Sequence, residues 1–260
     1  MKETLERELK LSVDRGFELP PLPVDVEPRH LHAIYHDTDD HRLARHGVTL
    51  RRRNEDGRDL WQLKLPSEGA RLELEHEANG PELPAELASL LTAYLRGSAL
   101  RPIAELQTLR RAVRVTDGRG PAAEVVHDSV QVLESGRVVR EFDEVEVEQL
   151  SDGAARLIAR LERQLRAAGA KTSDGRSKLF QALDLAAPVL PRAKRNAPPV
   201  EHLRAYLLAQ VESLLAGDPV TRRGDGSGVH RMRVATRRLR SALKEAHRLL
   251  ETGWVDETRA

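Results

Sequence analysis

A chain of 260 residues with 42 basic and 41 acidic side chains has a formal charge of only +1, so any charged partner must be met by local clusters rather than by the net charge. The lack of cysteine excludes disulfides, thiolate metal sites and thiol catalysis, and aromatics at 3% leave few platforms for stacking. No apolar run is long enough to span a bilayer and the charged N-terminus lacks a signal peptide's hydrophobic region, so no membrane association is expected and the expected location is the cytoplasm.

The chain opens MKETLERELKLSV, where Glu6, Glu8 and Lys10 alternate with Arg7, Leu9 and Leu11, the period of a strand. Up to about residue 150 the segments VTLRRR, LWQLKLP, RLELEHE, LRRAVRVT, AEVVHDSV and DEVEVEQL also read as strands. They are punctuated by turn signals at 54–57 (NEDG), 67–69 (SEG), 116–120 (TDGRG) and 134–136 (ESG). One helix is predicted among them at 84–97, with Pro84 in its first turn and Gly97 as its C-terminal cap. After Ser151 the pattern becomes helical. DGAARLIARLERQLRAAG is an amphipathic helix, and DGRSKLFQALDLAA a second with Asp174 near its N-cap. Residues 188–199, rich in proline and basic, read as a linker between a domain at 1–187 and a segment at 200–260. That segment is expected to hold two helices, about 200–216 and about 228–252, joined by TRRGDGSG.

Keeping one parity of each strand isolates a charged face. It holds Glu6, Glu8 and Lys10; Thr49, Arg51 and Arg53; Gln62 and Lys64; Arg71, Glu73 and Glu75; Arg110 and Arg114; Glu124 and Asp128; and Glu144, Glu146 and Glu148. The other parity is Leu, Val and Trp61. An ordinary solvated face mixes Ser, Thr and Gln with single charges, whereas here like charges recur at i, i+2. Unit charges about 4 Å apart interact by roughly 4 kcal/mol at an effective dielectric near 20, so such rows need compensating ions. Carboxylate triplets suit a divalent cation, and arginine and lysine rows suit a phosphate. Closing the sheet puts these charges in the lumen of a barrel of about eight antiparallel strands, with the apolar parity outside under helices. The fold class is therefore α+β.

The residues on that face resemble a known family. ERELK fits the E-x-E-x-K signature of CYTH domains, the triphosphate tunnel metalloenzymes, and YHDTDDHRLARHGVTLRRRNEDG at 35–57 is similar to the family's Y-x-D-T…LR-x-R segment. WQLKLP, LRRAV, HDSV, EVEVEQL and RSKLFQAL match its later elements in order, so the resemblance runs from residue 1 to about 187. It implies an antiparallel eight-stranded tunnel that hydrolyses triphosphates with Mg²⁺ or Mn²⁺. By the same resemblance Glu6, Glu8, Glu144 and Glu146 would hold the metal, and Lys10, Arg51, Arg53, Lys64, Arg110 and Lys178 would bind phosphate oxygens. Asp128 would be a ligand or would orient water, and Glu6, Glu8, Lys10 and Asp128 would form the catalytic group. The expected reaction is cleavage of inorganic triphosphate to pyrophosphate and phosphate. The alternatives are action on thiamine triphosphate, cyclisation of ATP, or a module that holds polyphosphate without cleaving it. The scarcity of aromatics favours the inorganic substrate.

VHRMRVATRRLRSALKEAHRLL at 229–250 resembles the opening helix of CHAD domains, which are helical and associated with polyphosphate binding. At about 100° per residue, His230, Arg233, Arg237, Arg240 and Lys244 fall within about 80° of one another, opposite Met232, Ala235, Leu239, Leu243, Ala246 and Leu250. Between Arg222 and Arg248 only Asp225 and Glu245 are acidic, so an anionic partner is expected. Polyphosphate fits better than nucleic acid, because no aromatics interleave the basic residues. CHAD domains normally contain several helical hairpins, and two helices do not bury an adequate core alone. Their apolar side needs the tunnel domain, further residues, or a second chain in a homo-oligomer.

Overall fold

The charged first segment folds as two consecutive strands, β1 (Lys2–Glu6) and β2 (Glu8–Val13), split at Arg7. The computed structural model describes residues 1–21, 28–67, 69–118, 120–189 and 192–246. In chain order there follow β3 (Arg29–Asp37), α1 (Arg42–Arg45), β4 (Thr49–Glu55), β5 (Arg58–Ser67), β6 (Ala70–Glu77), α2 (Ala85–Leu90) and α3 (Thr92–Leu95). Next come β7 (Arg101–Thr116), β8 (Pro121–Glu134), β9 (Arg137–Gln149), α4 (Ala155–Ala167), β10 (Lys171–Thr172), α5 (Lys178–Ala182), α6 (Pro199–Arg222) and α7 (Gly226–Glu245). The structure falls into two compact units, Met1–Pro84 with Ala99–Ala187, and Ala85–Ser98 with Pro188–Ala260.

The first unit is one antiparallel sheet in the order β1-β6-β5-β4-β3-β7-β8-β9-β2-β10. β1 pairs with β6 and β2 with β9, so a single segment joins both ends of the sheet and closes it into a barrel. Counting β1 and β2 as one strand and setting aside the two-residue β10 gives the eight strands expected; the described residues form ten segments because Arg7 interrupts the first and β10 adds a short edge. The hairpins turn where the sequence predicts. Asp56 and Gly57 (φ 50° and 82°) join β4 to β5, and Ser135 and Gly136 (φ 50° and 75°) join β8 to β9, as two-residue turns with both central residues left-handed.

Register puts the charged parity inside. Lys10 stands opposite Glu146, Lys64 opposite Glu73, Arg110 opposite Asp128, and Asp128 opposite Glu144, and residues directly opposite in an antiparallel pair share a face. The other parity packs outside. Leu11, Val125, Val145 and Val147 form one cluster with Leu161 and Leu165 of α4, the amphipathic helix. Trp61 is also outside, against the His36 ring at 5.0 Å.

Two helices predicted in this part of the chain differ in detail. The one at 84–97 is broken at Leu91 into α2 and α3, since Ser89 and Thr92 hydroxyls bond back to the Glu86 and Ser89 carbonyls at 2.7 Å each and compete with the helical ladder. Its buried residues, Leu87, Leu90, Leu91 and Tyr94, keep one apolar face, and α2 and α3 pack on α6 in the second unit. The helix expected from Asp174 shrinks to α5. Asp174 instead accepts from the Arg176 amide at 3.0 Å in a turn, and Ser177 is the N-cap.

In the second unit α6 runs on past the predicted end to Arg222 and α7 starts two residues early at Gly226, so only Arg223–Asp225 separates them, with Asp225 capping α7 through the Ser227 amide at 2.8 Å. The glycines read as a loop serve a close helix crossing. A Cβ on Gly217 would meet Met232 Cγ at 2.6 Å, and one on Gly228 would collide with Thr221. Residues 247–252 of the expected helix, with Leu250, lie outside the described residues.

Candidate active site

Nine of the residues singled out for the tunnel, Glu6, Glu8, Lys10, Arg51, Arg53, Lys64, Arg110, Glu146 and Lys178, line one cavity of about 330 Å³. The other two, Asp128 and Glu144, are buried at its edge and reach the same cations. Eight of the eleven fall into two ionic groups, while Arg51 bonds Gln62 and Tyr35 and Arg53 pairs with Glu55.

The deeper group is Asp128, Glu144 and Glu146, whose ligand oxygens all lie within 4.8 Å of one another. Three cations meet them. Arg110 donates to both oxygens of Asp128 at 2.9 and 2.7 Å, and Lys10 reaches Glu144 at 2.8 Å and Glu146 at 3.2 Å. The Lys178 ammonium contacts all three, touching Glu144 and standing 3.0 Å from Asp128 and 3.3 Å from Glu146. Burial opposes the charge on Lys178, but the three carboxylates hold it well above the ordinary lysine range. Burial likewise opposes the charge on Asp128, yet Lys178 and Arg110 keep its carboxyl at about 2. Glu146 is also held well below the usual range, burial being outweighed by Lys178 and Lys10. Glu144 moves the other way. Burial raises it, Lys178 offsets only part, and the neighbouring Glu146 charge adds to the rise.

The second group centres on Lys64, which donates to both oxygens of Glu6 at 2.7 and 2.9 Å and stands 3.3 Å from Glu73. Burial, opposed by Lys64 and reinforced by the hydrogen-bonded Glu73, pushes Glu6 up to about 7. Glu73 resists its own burial because Lys64 and the proton donated by Glu6 hold it at about 2. The pair thus shares one proton near neutral pH. Of the four expected metal ligands the structure brings Glu144 and Glu146 together with Asp128. Glu6 is engaged by Lys64 and Glu73, and Glu8 stands opposite Glu148 in the ladder.

Sequence reasoning left several lining residues unassigned, Tyr35 and Arg29 among them. Tyr35 points inward opposite Arg51, its hydroxyl accepting from Arg51 Nη1 at 3.0 Å while its ring lies 5.7 Å from the guanidinium carbon. At 4% exposure it is a wall and not a platform. Arg29 also lines the cavity and donates to Glu55 at 2.6 Å. Both lie on β3, whose inward parity (Arg29, Leu31, Ala33, Tyr35) carries one charge and so shows no alternation signal. The Nε atoms of Arg29 and Arg53 are buried without an acceptor.

The Asp-Thr element of the resemblance proves structural. Asp37 is fully buried and accepts from the amides of Thr38, Leu43 and Ala44 at 2.7, 2.9 and 2.9 Å, holding the turn and α1 that precede the arginine strand.

On the second unit, His230, Arg233, Arg237, Arg240 and Lys244 are all exposed on α7, and the first four border one hollow with Thr221, Met232 and Ser241 but no acidic residue. Ala235, Leu243 and Ala246 are buried on the opposite side, and Met232 and Leu239 are half-buried.

An antiparallel barrel with carboxylates and cations packed into its lumen defines the triphosphate tunnel class. A CYTH domain family model matches residues 4–177 and a CHAD domain model residues 205–260. The chain belongs to the CYTH family, and its C-terminal part matches CHAD. It is 34% identical over 277 residues to uncharacterized proteins of two Mycobacterium tuberculosis strains, CDC 1551 and H37Rv, covering 96% of this chain and 54% of theirs. The chain thus spans about half the length of these curated relatives. Among solved structures, a "putative adenylate cyclase" of Bacillus halodurans shares the fold at 19% identity and TM-score 0.51, over 70% of this chain and 98% of that one. A Hippeastrum protein, whose structure is reported with a dominant triphosphatase activity, aligns at 20% identity and TM-score 0.45, over 70% and 98%. No described helix is long and apolar enough to cross a membrane.

Proposed function

We propose that the tunnel hydrolyses inorganic triphosphate to pyrophosphate and phosphate with a divalent metal. The observation that carries this reading is the lumen itself, where a compact carboxylate triad adjoins a wall of guanidinium and ammonium groups with buried donors unmet. An all-carboxylate oxygen set at Asp128, Glu144 and Glu146 fits Mg²⁺ or Mn²⁺ by donor chemistry. When bound there, such an ion would neutralise phosphate charge and polarise a phosphorus–oxygen bond.

The chain's own residues do the rest. Lys10, Arg110 and Lys178 hold the phosphate nearest the triad, and Arg29, Arg51, Arg53 and Lys64 hold the remainder along the wall, stabilising charge that develops on the leaving phosphate. Asp128, fixed as an anion by Arg110 and Lys178, is too weak a base to take a proton and serves to orient. Glu6 lines the cavity with a carboxyl pushed up to about 7, so in its ionised form it is placed to accept a proton from the attacking water.

The lining of the cavity supports an inorganic substrate, being charged or polar at nearly every position. Tyr35, the one aromatic lining it among the described residues, is too buried to stack on a base. The exposed basic face of α7 is the corresponding reading for the CHAD part, a surface for polyphosphate. A comparison of kcat/KM for inorganic triphosphate, ATP and thiamine triphosphate tests the assignment, which predicts the inorganic substrate to lead and fails if either organic triphosphate does.

A further inference from the structure

A neutral amide stands among the charges of the lumen. Gln62 of β5 lies opposite Arg51 of β4 on one side of the ladder and opposite Glu75 of β6 on the other, and it is 1% exposed. Its side chain is held at both ends. Nε2 donates to Glu75 at 2.5 Å, and Oε1 accepts from Arg51 Nε at 2.7 Å. A carboxylate accepts and does not donate, so Glu75 draws the amide nitrogen and leaves the carbonyl oxygen to face Arg51.

Arg51 thereby differs from the other cations of the lumen. Lys10, Arg29, Arg53, Lys64, Arg110 and Lys178 each stand within ion-pair distance of a carboxylate. Among the described residues Arg51 pairs with none. Its bonds run to neutral oxygens, Gln62 Oε1 through Nε and the Tyr35 hydroxyl through Nη1 at 3.0 Å. Arg51 lines the cavity, and the rest of its N–H fork is left for a ligand. An anion that reaches Lys10 or Lys64 shares a cation already met by carboxylates, whereas one that reaches Arg51 meets an uncompensated charge. A glutamate at position 62 would remove that difference, since the Arg51 contact would become an ion pair. An apolar residue there would leave the guanidinium unoriented and take the donor from Glu75.

We infer that Gln62 is a positioning residue: with the Tyr35 hydroxyl it orients Arg51 without neutralising it, and so keeps the full charge of that guanidinium available to a phosphate chain. The inference deepens the reading of the lumen as a triphosphate site and rests on it. Gln62 acts through Arg51 and not on the substrate, because both ends of its amide are bonded to protein.

The test is a double-mutant cycle on the whole protein, read as the affinity for radiolabelled inorganic triphosphate by equilibrium dialysis in chelator, which needs no catalysis. Binding on α7 adds equally to every variant, and the urea midpoint reports folding. Gln62→Met keeps the length of the side chain and removes both polar ends. Affinity should fall about tenfold or more where Arg51 is present, and by less than about twofold in an Arg51→Ala background. An unchanged affinity, or an equal fall in both backgrounds, overturns the inference. At pH 8 Gln62→Glu still accepts from Arg51 but pairs with its charge, so it should also lose about tenfold. Binding at the wild-type level by this variant would mean that the hydrogen bond alone matters, and overturns the uncompensated charge. If Gln62→Met does not fold, Tyr35→Phe replaces it in the cycle, with an expected loss of about threefold or more that vanishes without Arg51. A loss of the same size in the Arg51→Ala background overturns the inference. Inorganic sulfate serves as a second probe. If triphosphate does not bind but sulfate does, with the same dependence on Gln62, the triphosphate reading fails and the positioning of Arg51 stands; if neither anion binds, both are overturned.

Discussion

Replacing Glu6 by glutamine removes one charge from the Glu6–Glu73 pair while leaving a donor toward Glu73. In the folded protein Glu6 is raised from 4.5 to about 7 by burial and by Glu73, against the pull of Lys64. A folded value above the unfolded one means that protonated Glu6 contributes its stability in full below about pH 4.5 and loses it as pH rises through about 7. At 1.36 kcal/mol per pKa unit the loss across that window is about 3 kcal/mol. Glu73, held at about 2, acts in the opposite sense, but its gain is complete by about pH 4.5 and does not overlap the window. The assay is urea unfolding of wild type and Glu6→Gln at pH 5 and pH 8, without metal or phosphate. Glu144 and Glu148, also raised by burial, weaken both proteins alike over this range. Wild type should lose about 2.5 kcal/mol more than the variant between the two pH values, since part of the window lies below pH 5. Parallel losses would refute the shared-proton pair.

Asp37→Ala should cost about 2–4 kcal/mol, since three buried amides lose their acceptor, while the folded fraction still binds triphosphate; the denaturation midpoint and dialysis check both halves. Arg110→Lys exchanges a two-pronged contact with Asp128 for a single point charge, so kcat should fall by about tenfold or more with the unfolding midpoint little changed. Lys178→Met leaves three buried carboxylates facing two cations, with an expected cost of about 3 kcal/mol at pH 8. Mg²⁺ or Mn²⁺ alone should then raise the variant's melting temperature more than that of wild type, and an equal rise in both would contradict the triad as the metal site.

The lumen was legible because its signal is a two-residue alternation of full charges, carried by Glu6, Glu8 and Lys10 of β1 and β2, Arg51 and Arg53 of β4, and Glu144, Glu146 and Glu148 of β9. Barrel closure followed from the same pattern, since like charges in rows need opposite rows facing them. What lay hidden depends on contacts that alternation does not encode. Glu6 and Glu73 belong to distant segments, and only the β1–β6 and β5–β6 pairings set both beside Lys64. The role of Asp37 is a matter of backbone amides, which have no residue signature. The place of α5 escaped because it reads as part of a longer amphipathic helix, while Asp174 and Ser177 divert the chain so that only five residues are helical and Leu179, Phe180 and Ala182 pack with Tyr35 and Leu106. Gly217 and Gly228 look like a flexible link in sequence and permit a tight crossing of α6 and α7 in the fold.

The central claim is that the carboxylate triad and the cationic wall act together on a triphosphate. Its most direct test is phosphate release from inorganic triphosphate with Mg²⁺ or Mn²⁺, for wild type and Glu146→Gln, with folding of both followed by circular dichroism. The account predicts metal-dependent release by wild type, abolished by chelator and lost in a variant that remains folded. Tight triphosphate binding by wild type with no release under either metal would contradict it.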